Sequence, residues 1–270
     1  LAVWVNVPAI AGTADTALYV YYGKASAADQ QDAANVWTNG FAGVWHLDEA
    51  SGTRADSTAA GYNASTNGTV DRTGAGRIAG AASFAGTGHL DLQVSETSLY
   101  MHTNSFTVGA WYKKGTLTGN HSVISGESNG GAAAYRGFSL FATSTTLYGW
   151  FADGALARKA LVKSGDAANV WNFGTLVWDM PNAKIHLYHN GVSAGSIDVT
   201  GHTGWGILID IGAANGGQRF IGSIDEARIA KTLRSADWIA TEHANQSAPE
   251  TFASAADEER LPWATQLVIR

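Results

Sequence analysis

The sequence predicts an all-β protein built as two packed antiparallel sheets, and three observations carry that expectation. Short runs in which apolar and polar residues alternate recur at intervals of roughly ten residues along most of the chain, the period of half-buried strands. Glycine, at 32 of 270 residues, punctuates those runs, and ten Trp, nine Tyr and nine Phe supply the bulky side chains that strands favour. Roughly a dozen short strands suit two stacked sheets better than one open sheet.

Taken in order, residues 3–7 (Val-Trp-Val-Asn-Val) and 18–22 (Leu-Tyr-Val-Tyr-Tyr) read as two short strands joined by a polar turn, the second ended by Gly23. Residues 41–232 carry the sandwich. Its candidate strands are 43–47, 81–84, 89–92, 106–112, 122–126, 137–141, 146–151, 160–163, 172–179, 184–189, 192–197, 206–211 and 220–229. Alternation is clearest in Phe106-Thr-Val-Gly-Ala-Trp-Tyr and Lys184-Ile-His-Leu-Tyr. Asn190-Gly191, between two such runs, supplies the positive φ angles of a tight type I′ hairpin. Trp45, Phe106, Val108, Trp178, Leu187 and Ile224 are expected in the core. Residues 233–246 read as a short C-terminal helix with Ser235 as N-cap and Trp238 and Ile239 on its apolar face. Residues 247–270, rich in Ala, Ser and Glu, read as a linker or an added strand leading into a further region.

Composition narrows the function classes. At 45% hydrophobic and 15% charged the chain can bury a full core. Its net charge of −6, with no long basic run, argues against nucleic acid or an anionic membrane surface as main partners. The absence of cysteine is neutral on compartment. No apolar run of about 18 residues exists to span a membrane. The first residues already follow a strand pattern instead of a leader pattern, so the chain reads as a piece of something larger.

Two segments hold the strongest signal. Val44-Trp-His-Leu-Asp-Glu-Ala-Ser-Gly opens the sandwich, and Phe220-Ile-Gly-Ser-Ile-Asp-Glu-Ala-Arg-Ile closes it. In the closing run, Asp225 and Glu226 lie beside apolar Ile224 and Ala227, and acids so close to a buried face need a compensating group. The pair resembles the opening and closing signatures of concanavalin A-like/laminin G-like jelly-roll domains of bacterial surface proteins. Ser105-Phe-Thr-Val-Gly-Ala-Trp-Tyr and Ile185-His-Leu-Tyr-His-Asn-Gly resemble two further motifs of that family. The resemblance implies a jelly-roll sandwich whose opening and closing strands are neighbours, often around a structural calcium ion. Residues 1–40, through Leu18-Tyr-Val-Tyr-Tyr-Gly-Lys-Ala-Ser-Ala, resemble the C-terminal part of a bacterial domain of unknown function, DUF2341.

The resemblance implies calcium ligands at Asp225 and Asp56, with Glu49 and Asn63 in the same matched segments; calcium takes six to eight oxygens from carboxylates and turn carbonyls. The competing reading is that Asp225 and Glu226 pair with Arg54 or Arg228, or cap local turns. For sugar, the candidates are aromatics placed in loops, where rings stack on the C–H faces of pyranoses: Tyr135 with Arg136, Trp150 with Asp153, and Trp205. Catalysis finds no support. Two carboxylates on one strand face are missing, Asp48-Glu49 and Asp225-Glu226 are adjacent and so point to opposite faces, and no G-x-S-x-G elbow is present. The expected function is therefore a non-catalytic extracytoplasmic recognition or adhesion module, secreted, periplasmic or at the cell surface, with polysaccharide or glycoconjugate as first-choice partner. Two alternatives stay open. The DUF2341 resemblance of residues 1–40 allows the periplasmic part of a MotA/TolQ/ExbB-type proton-channel protein, contacting protein or cell wall, with a span beyond these residues; the other alternative is a carbohydrate-active enzyme domain.

Overall fold

The computed structural model describes residues 2–116, 118–129, 135–204, 206, 208–215, 217–255, 259–261 and 264–269. After β1 (Leu18–Tyr22) and a single helical turn, α1 (Ala33–Val36), come the early strands β2 (Phe41–Trp45), β3 (Ser65–Asn67), β4 (Val70–Thr73), β5 (Ala81–Ala85) and β6 (His89–Ser95). The middle of the chain forms β7 (Phe106–Lys114), β8 (His121–Asn129), β9 (Tyr135–Ala142), β10 (Thr146–Ala152) and β11 (Arg158–Ser164). Then follow β12 (Asn172–Asp179), β13 (Lys184–His189), β14 (Val192–Asp198), β15 (Leu208–Ile211) and β16 (Ile221–Ala230). Helices α2 (Ala236–Ser247) and α3 (Pro249–Phe252) precede β17 (Glu259–Leu261) and β18 (Ala264–Ile269).

Two antiparallel sheets form the sandwich. One runs β11-β10-β9-β8-β15-β6-β3; the other runs β14-β13-β12-β7-β16-β5-β4, with β2 also on β16. The inner faces interdigitate, and all six predicted core residues, from Trp45 to Ile224, are at most 2% exposed. Opening and closing segments meet as expected: β2 lies antiparallel to β16, with Trp45 opposite Ala227 and Val44 opposite Arg228. The Asn190-Gly191 hairpin joins β13 to β14 with φ of 52° and 76°, as a type I′ turn requires.

Outside the second sheet, α2 covers Trp111, Phe173, Val177 and Tyr188 with the buried Ile239, and Gln246 Oε1 accepts from Trp111 Nε1 at 2.6 Å. Ser235 caps the helix by accepting from the Trp238 N–H at 3.1 Å. Trp238 does not share the buried face: it is 37% exposed beneath the Arg234 guanidinium, because consecutive helical residues stand about 100° apart. With one outer face covered by a helix, the outer face of the first sheet is left to carry a site.

The N-terminal segment departs from its expectation. Residues 3–7 form no strand; Trp4 instead packs on Trp37 (5.2 Å between centroids) and stacks on His46 (5.6 Å). The C-terminal tail returns to the start, β18 pairing antiparallel with β1 and β17 with β18 in a separate three-stranded sheet.

Candidate binding face

Strand alternation assembles the site. Across the first sheet Ser125, Ser139, Trp150 and Ala160 stand opposite one another on β8, β9, β10 and β11, so their side chains share the outer face. One step along, Glu127 of β8 faces Gly137 of β9, and Arg158 of β11 faces Ala152 of β10. Gly and Ala leave no bulk between acid and base. Gly137 must be glycine: its φ is +81°, and a Cβ there would stand 1.8 Å from the Gly126 carbonyl oxygen.

The result is a hollow of about 160 Å³ lined by Asn120, Glu127, Tyr135, Phe141, Trp150, Arg158 and Gln218. Its aromatic surface is ordered by ring packing. Tyr135 meets Trp150 edge to face (5.7 Å, 74°), and Phe141 stacks on Tyr148 (4.9 Å, 13°). The Arg158 guanidinium lies 5.4 Å from the Trp150 ring centroid and 5.7 Å from that of Phe141.

Glu127 is the unusual group. It is 2% exposed, and burial pushes its carboxyl up to about 6 against the donor groups of Ser139, Trp150 and Ser125 near that carboxyl and the charge of Arg158. Its Oε2 is buried with no hydrogen-bond partner among the described residues, and the same holds for Gln218 Oε1. Gln218 is fixed by its backbone, in the left-handed region at φ 45° with its carbonyl accepting from the Ser122 N–H at 2.9 Å. The hollow thus presents two oxygens without hydrogen-bond partners among the described residues, Glu127 Oε2 and Gln218 Oε1, beside an aromatic wall and the Arg158 guanidinium.

Of the residues predicted for ligand binding, Tyr135 and Trp150 do come together here, on strands β9 and β10 and not in loops. Trp150 is only 3% exposed, so Tyr135, half-buried, offers the more open ring. Arg136 follows Tyr135 and pairs in register with Ser128; strand alternation turns it from the face that Tyr135 occupies. Asp153 lies in the β10–β11 turn, where Oδ1 accepts from the N–H groups of Ala155 (3.0 Å) and Ala157 (2.9 Å). That is the work of a turn cap, not of a sugar ligand. Trp205 lies outside the described residues. Sequence reading missed Glu127, Arg158 and Gln218. No pattern in the sequence singles out Glu127, since β8 reads His-Ser-Val-Ile-Ser-Gly-Glu-Ser-Asn and is polar at most of its positions.

The expected calcium ligands do not form one donor set. Asp56 accepts from the N–H groups of Val44, Thr58 and Tyr62 and from the Thr58 hydroxyl, which fills both of its oxygens. Asn63 Oδ1 accepts from the Asp56 N–H, and Glu49 Oε1 from the Ala55 N–H. These three organise the loop after β2. Among the described residues no three His, Asp or Glu side chains converge as a metal site. Of the two leading candidates, Asp225 alone keeps a carboxylate oxygen without a hydrogen-bond partner among the described residues. Its Oδ2 accepts from the N–H groups of Arg77 (2.7 Å) and Ile78 (2.9 Å), while Oδ1 is buried with no hydrogen-bond partner among the described residues. Burial, with the Glu226 charge beside it, pushes its carboxyl up to about 8.

Glu226 turns elsewhere because β16 carries a bulge. The register with β7 shifts between Asp225 and Arg228, and Glu226 sits at φ 50°. Its carboxylate meets His46 Nδ1 at 2.9 Å and Arg228 at 2.8 Å, and Arg228 also bonds Glu242 of α2. Trp4 and Trp37, packed on each other, both face the Arg228 guanidinium, at 4.7 and 4.8 Å from their ring centroids. The competing expectation for Glu226, pairing with Arg228, is what the structure has.

No curated protein matches the chain significantly. Among solved structures, domain 4 of AbnA, a GH43 extracellular arabinanase from Geobacillus stearothermophilus, solved in complex with arabinotriose, is similar. It has a TM-score of 0.55 at 20% identity, over 74% of this chain and 96% of that one. The binding domain of Paraclostridial mosquitocidal protein 1 gives 0.57 at 12% identity over 77% and 52%. The botulinum neurotoxin serotype D/C VPI 5993 binding domain gives 0.58 at 18% over 78% and 53%. The chain spans about half the length of those toxin domains, and at such identities the likeness is one of fold. The profile of DUF2341, a domain of unknown function, matches residues 2–63. That of the concanavalin A-like lectin/glucanases superfamily (Laminin_G_3) matches residues 84–240, more than half of the sequence, and the chain belongs to that superfamily.

Proposed function

We propose that this chain is a non-catalytic, extracytoplasmic recognition module whose ligand is a glycan, held in the hollow on the outer face of the seven-stranded sheet. The observation that carries the reading is the combination of an aromatic wall, Tyr135 with Trp150, and a buried carboxylate oxygen that has no hydrogen-bond partner among the described residues. Sugars offer both complements: C–H faces for rings and hydroxyl donors for acceptors. Two similarities of fold support it. One neighbour is an extracellular arabinanase domain solved with arabinotriose, and others are named as binding domains of toxins. The charge arrangement supports binding over hydrolysis, since among the described residues one carboxylate lines the hollow where acid and base catalysis on a glycoside needs two. Calcium enters as a structural ion at Asp225, remote in role from the hollow.

The test is retention on immobilised polysaccharides, arabinan included, by affinity electrophoresis. Tyr135→Ala and Arg158→Ala, at half-buried and exposed positions, should each weaken retention at least tenfold while leaving the thermal melt in place. Retention unchanged in both variants would move the site elsewhere on the molecule.

A further inference from the structure

Resting on that reading, we infer that the hollow takes a single neutral sugar ring at a chain end, recognised through two of its free hydroxyls, and not a run of chain. Size is the first argument. Pockets for drug-sized ligands measure about 300–1,000 Å³. A hollow of about 160 Å³ lies below that range and admits one ring.

Hydrogen-bond polarity is the second. Glu127 Oε2 and Gln218 Oε1 are acceptors, both buried, both on the lining of the same hollow, and neither meets a donor among the described residues. A buried acceptor left unsatisfied costs about 1–3 kcal/mol, so the ligand that fits is one bringing two donors. A sugar ring within a chain has given up hydroxyls to its glycosidic bonds; a terminal ring keeps one more of them free.

Charge is the third. The hollow already contains an anion and a cation, Glu127 and Arg158, close enough for Arg158 to oppose the rise of the Glu127 pKa. A uronic acid would set a second carboxylate and two more acceptors against Glu127. An amino sugar would pair its ammonium with Glu127 only by facing Arg158, a like charge on the same lining. A neutral ring with adjacent hydroxyls meets neither objection, and the Tyr135 ring edge-on to Trp150 gives its C–H face a surface.

Ligand-observed NMR on the chain with methyl glycosides of glucose, galactose and arabinose, beside methyl glucuronide and glucosamine, tests this. At least one neutral glycoside should bind and should displace the polysaccharide that the affinity gel retains; the glucuronide and glucosamine should bind at least tenfold more weakly. Glu127→Gln, which puts a donor where an acceptor stood, and Gln218→Leu should each weaken the neutral glycoside at least tenfold with the melting curve retained. Polysaccharide retention that no single-ring glycoside displaces, or a glucuronide bound as well as the neutral sugars, overturns the inference and leaves the glycan reading standing. No retention on any polysaccharide and no glycoside signal overturns both.

Discussion

Glu127 carries the most consequential single-residue chemistry on the candidate face. Its folded-state carboxyl stands at about 6, against an ordinary value of 4.5, because burial outweighs the polar groups of Ser139, Trp150 and Ser125 and the Arg158 charge. The folded chain therefore holds this proton more tightly than the unfolded chain does. The stability that this contributes is fully present below about pH 4.5 and is lost as pH rises through about 6, on the order of 2 kcal/mol in all. Urea unfolding of the wild type and of Glu127→Gln at pH 4.5 and 7.5 checks the sign. The wild type should lose about that much relative to the variant on going to the higher pH, and parallel profiles would mean that the carboxyl is solvated. None of this was legible from residue types alone. Glu127 is one acid among 23 Asp and Glu residues, and its environment arises from three neighbouring strands that only the sheet register brings together. Tyr135 and Trp150 were legible as candidates through aromatic chemistry; Trp150 lies on the expected strand 146–151, whereas Tyr135, read as a loop residue, opens β9.

At the scale of elements, β16 shows what periodicity can and cannot foretell. Its apolar positions Ile224, Ala227 and Ile229 mark a strand, and their burial follows. The bulge at Glu226 does not follow, because a left-handed φ at a charged residue inside a strand leaves no mark on the apolar pattern. Helix α2 was legible from Ser235 and the following residues, yet its face was misjudged where Trp238 and Ile239 were grouped together. The bulge has an energetic consequence. It directs Arg228 between Glu226 and Glu242, ties β16 to α2, and brings Trp4 and Trp37 of the N-terminal segment onto the same guanidinium. Replacing Arg228 by Ala would take the guanidinium from Glu242 and leave Glu226 with His46 alone, in a site where the arginine side chain is 9% exposed, a loss of about 3–5 kcal/mol. A fall in the urea midpoint by that equivalent is expected. Adding Glu226→Gln and Glu242→Gln to the same chain should recover much of it, since the unpaired charges are then gone. A triple variant no more stable than Arg228→Ala would assign the loss to the tryptophan contacts instead.

On the scale of the whole molecule, closure depends on β16, which pairs with β2, β5 and β7 at once and so joins the start of the sandwich to its end. Closure was legible because two motifs far apart in sequence resembled the two ends of one fold; the three-stranded sheet made by β1, β17 and β18 was not, because its partners share no motif. Asp225 sits in this closing strand, with Oδ2 fixing the turn at Arg77 and Ile78 and Oδ1 left without a protein donor among the described residues. A calcium ion bound there would act on the molecule as a whole, since it would link the closing strand to the β4–β5 turn in the folded state and find no such arrangement in the unfolded one. At a hundred times its dissociation constant such an ion stabilises by about 2.7 kcal/mol. For a domain of this size that amounts to about 5–10 °C in Tm. Calorimetric scans in EDTA and in millimolar calcium should therefore differ by several degrees, magnesium should not substitute, and Asp225→Asn should erase the difference while Asp56→Asn should keep it. Asp56→Asn would still lower Tm in both buffers, because it weakens hydrogen bonds to Val44, Thr58 and Tyr62 that hold the loop after β2. Coincident scans for the wild type would leave Asp225 as a buried acid held by two backbone N–H groups, and closure would then rest on strand pairing and the Arg228 contacts alone.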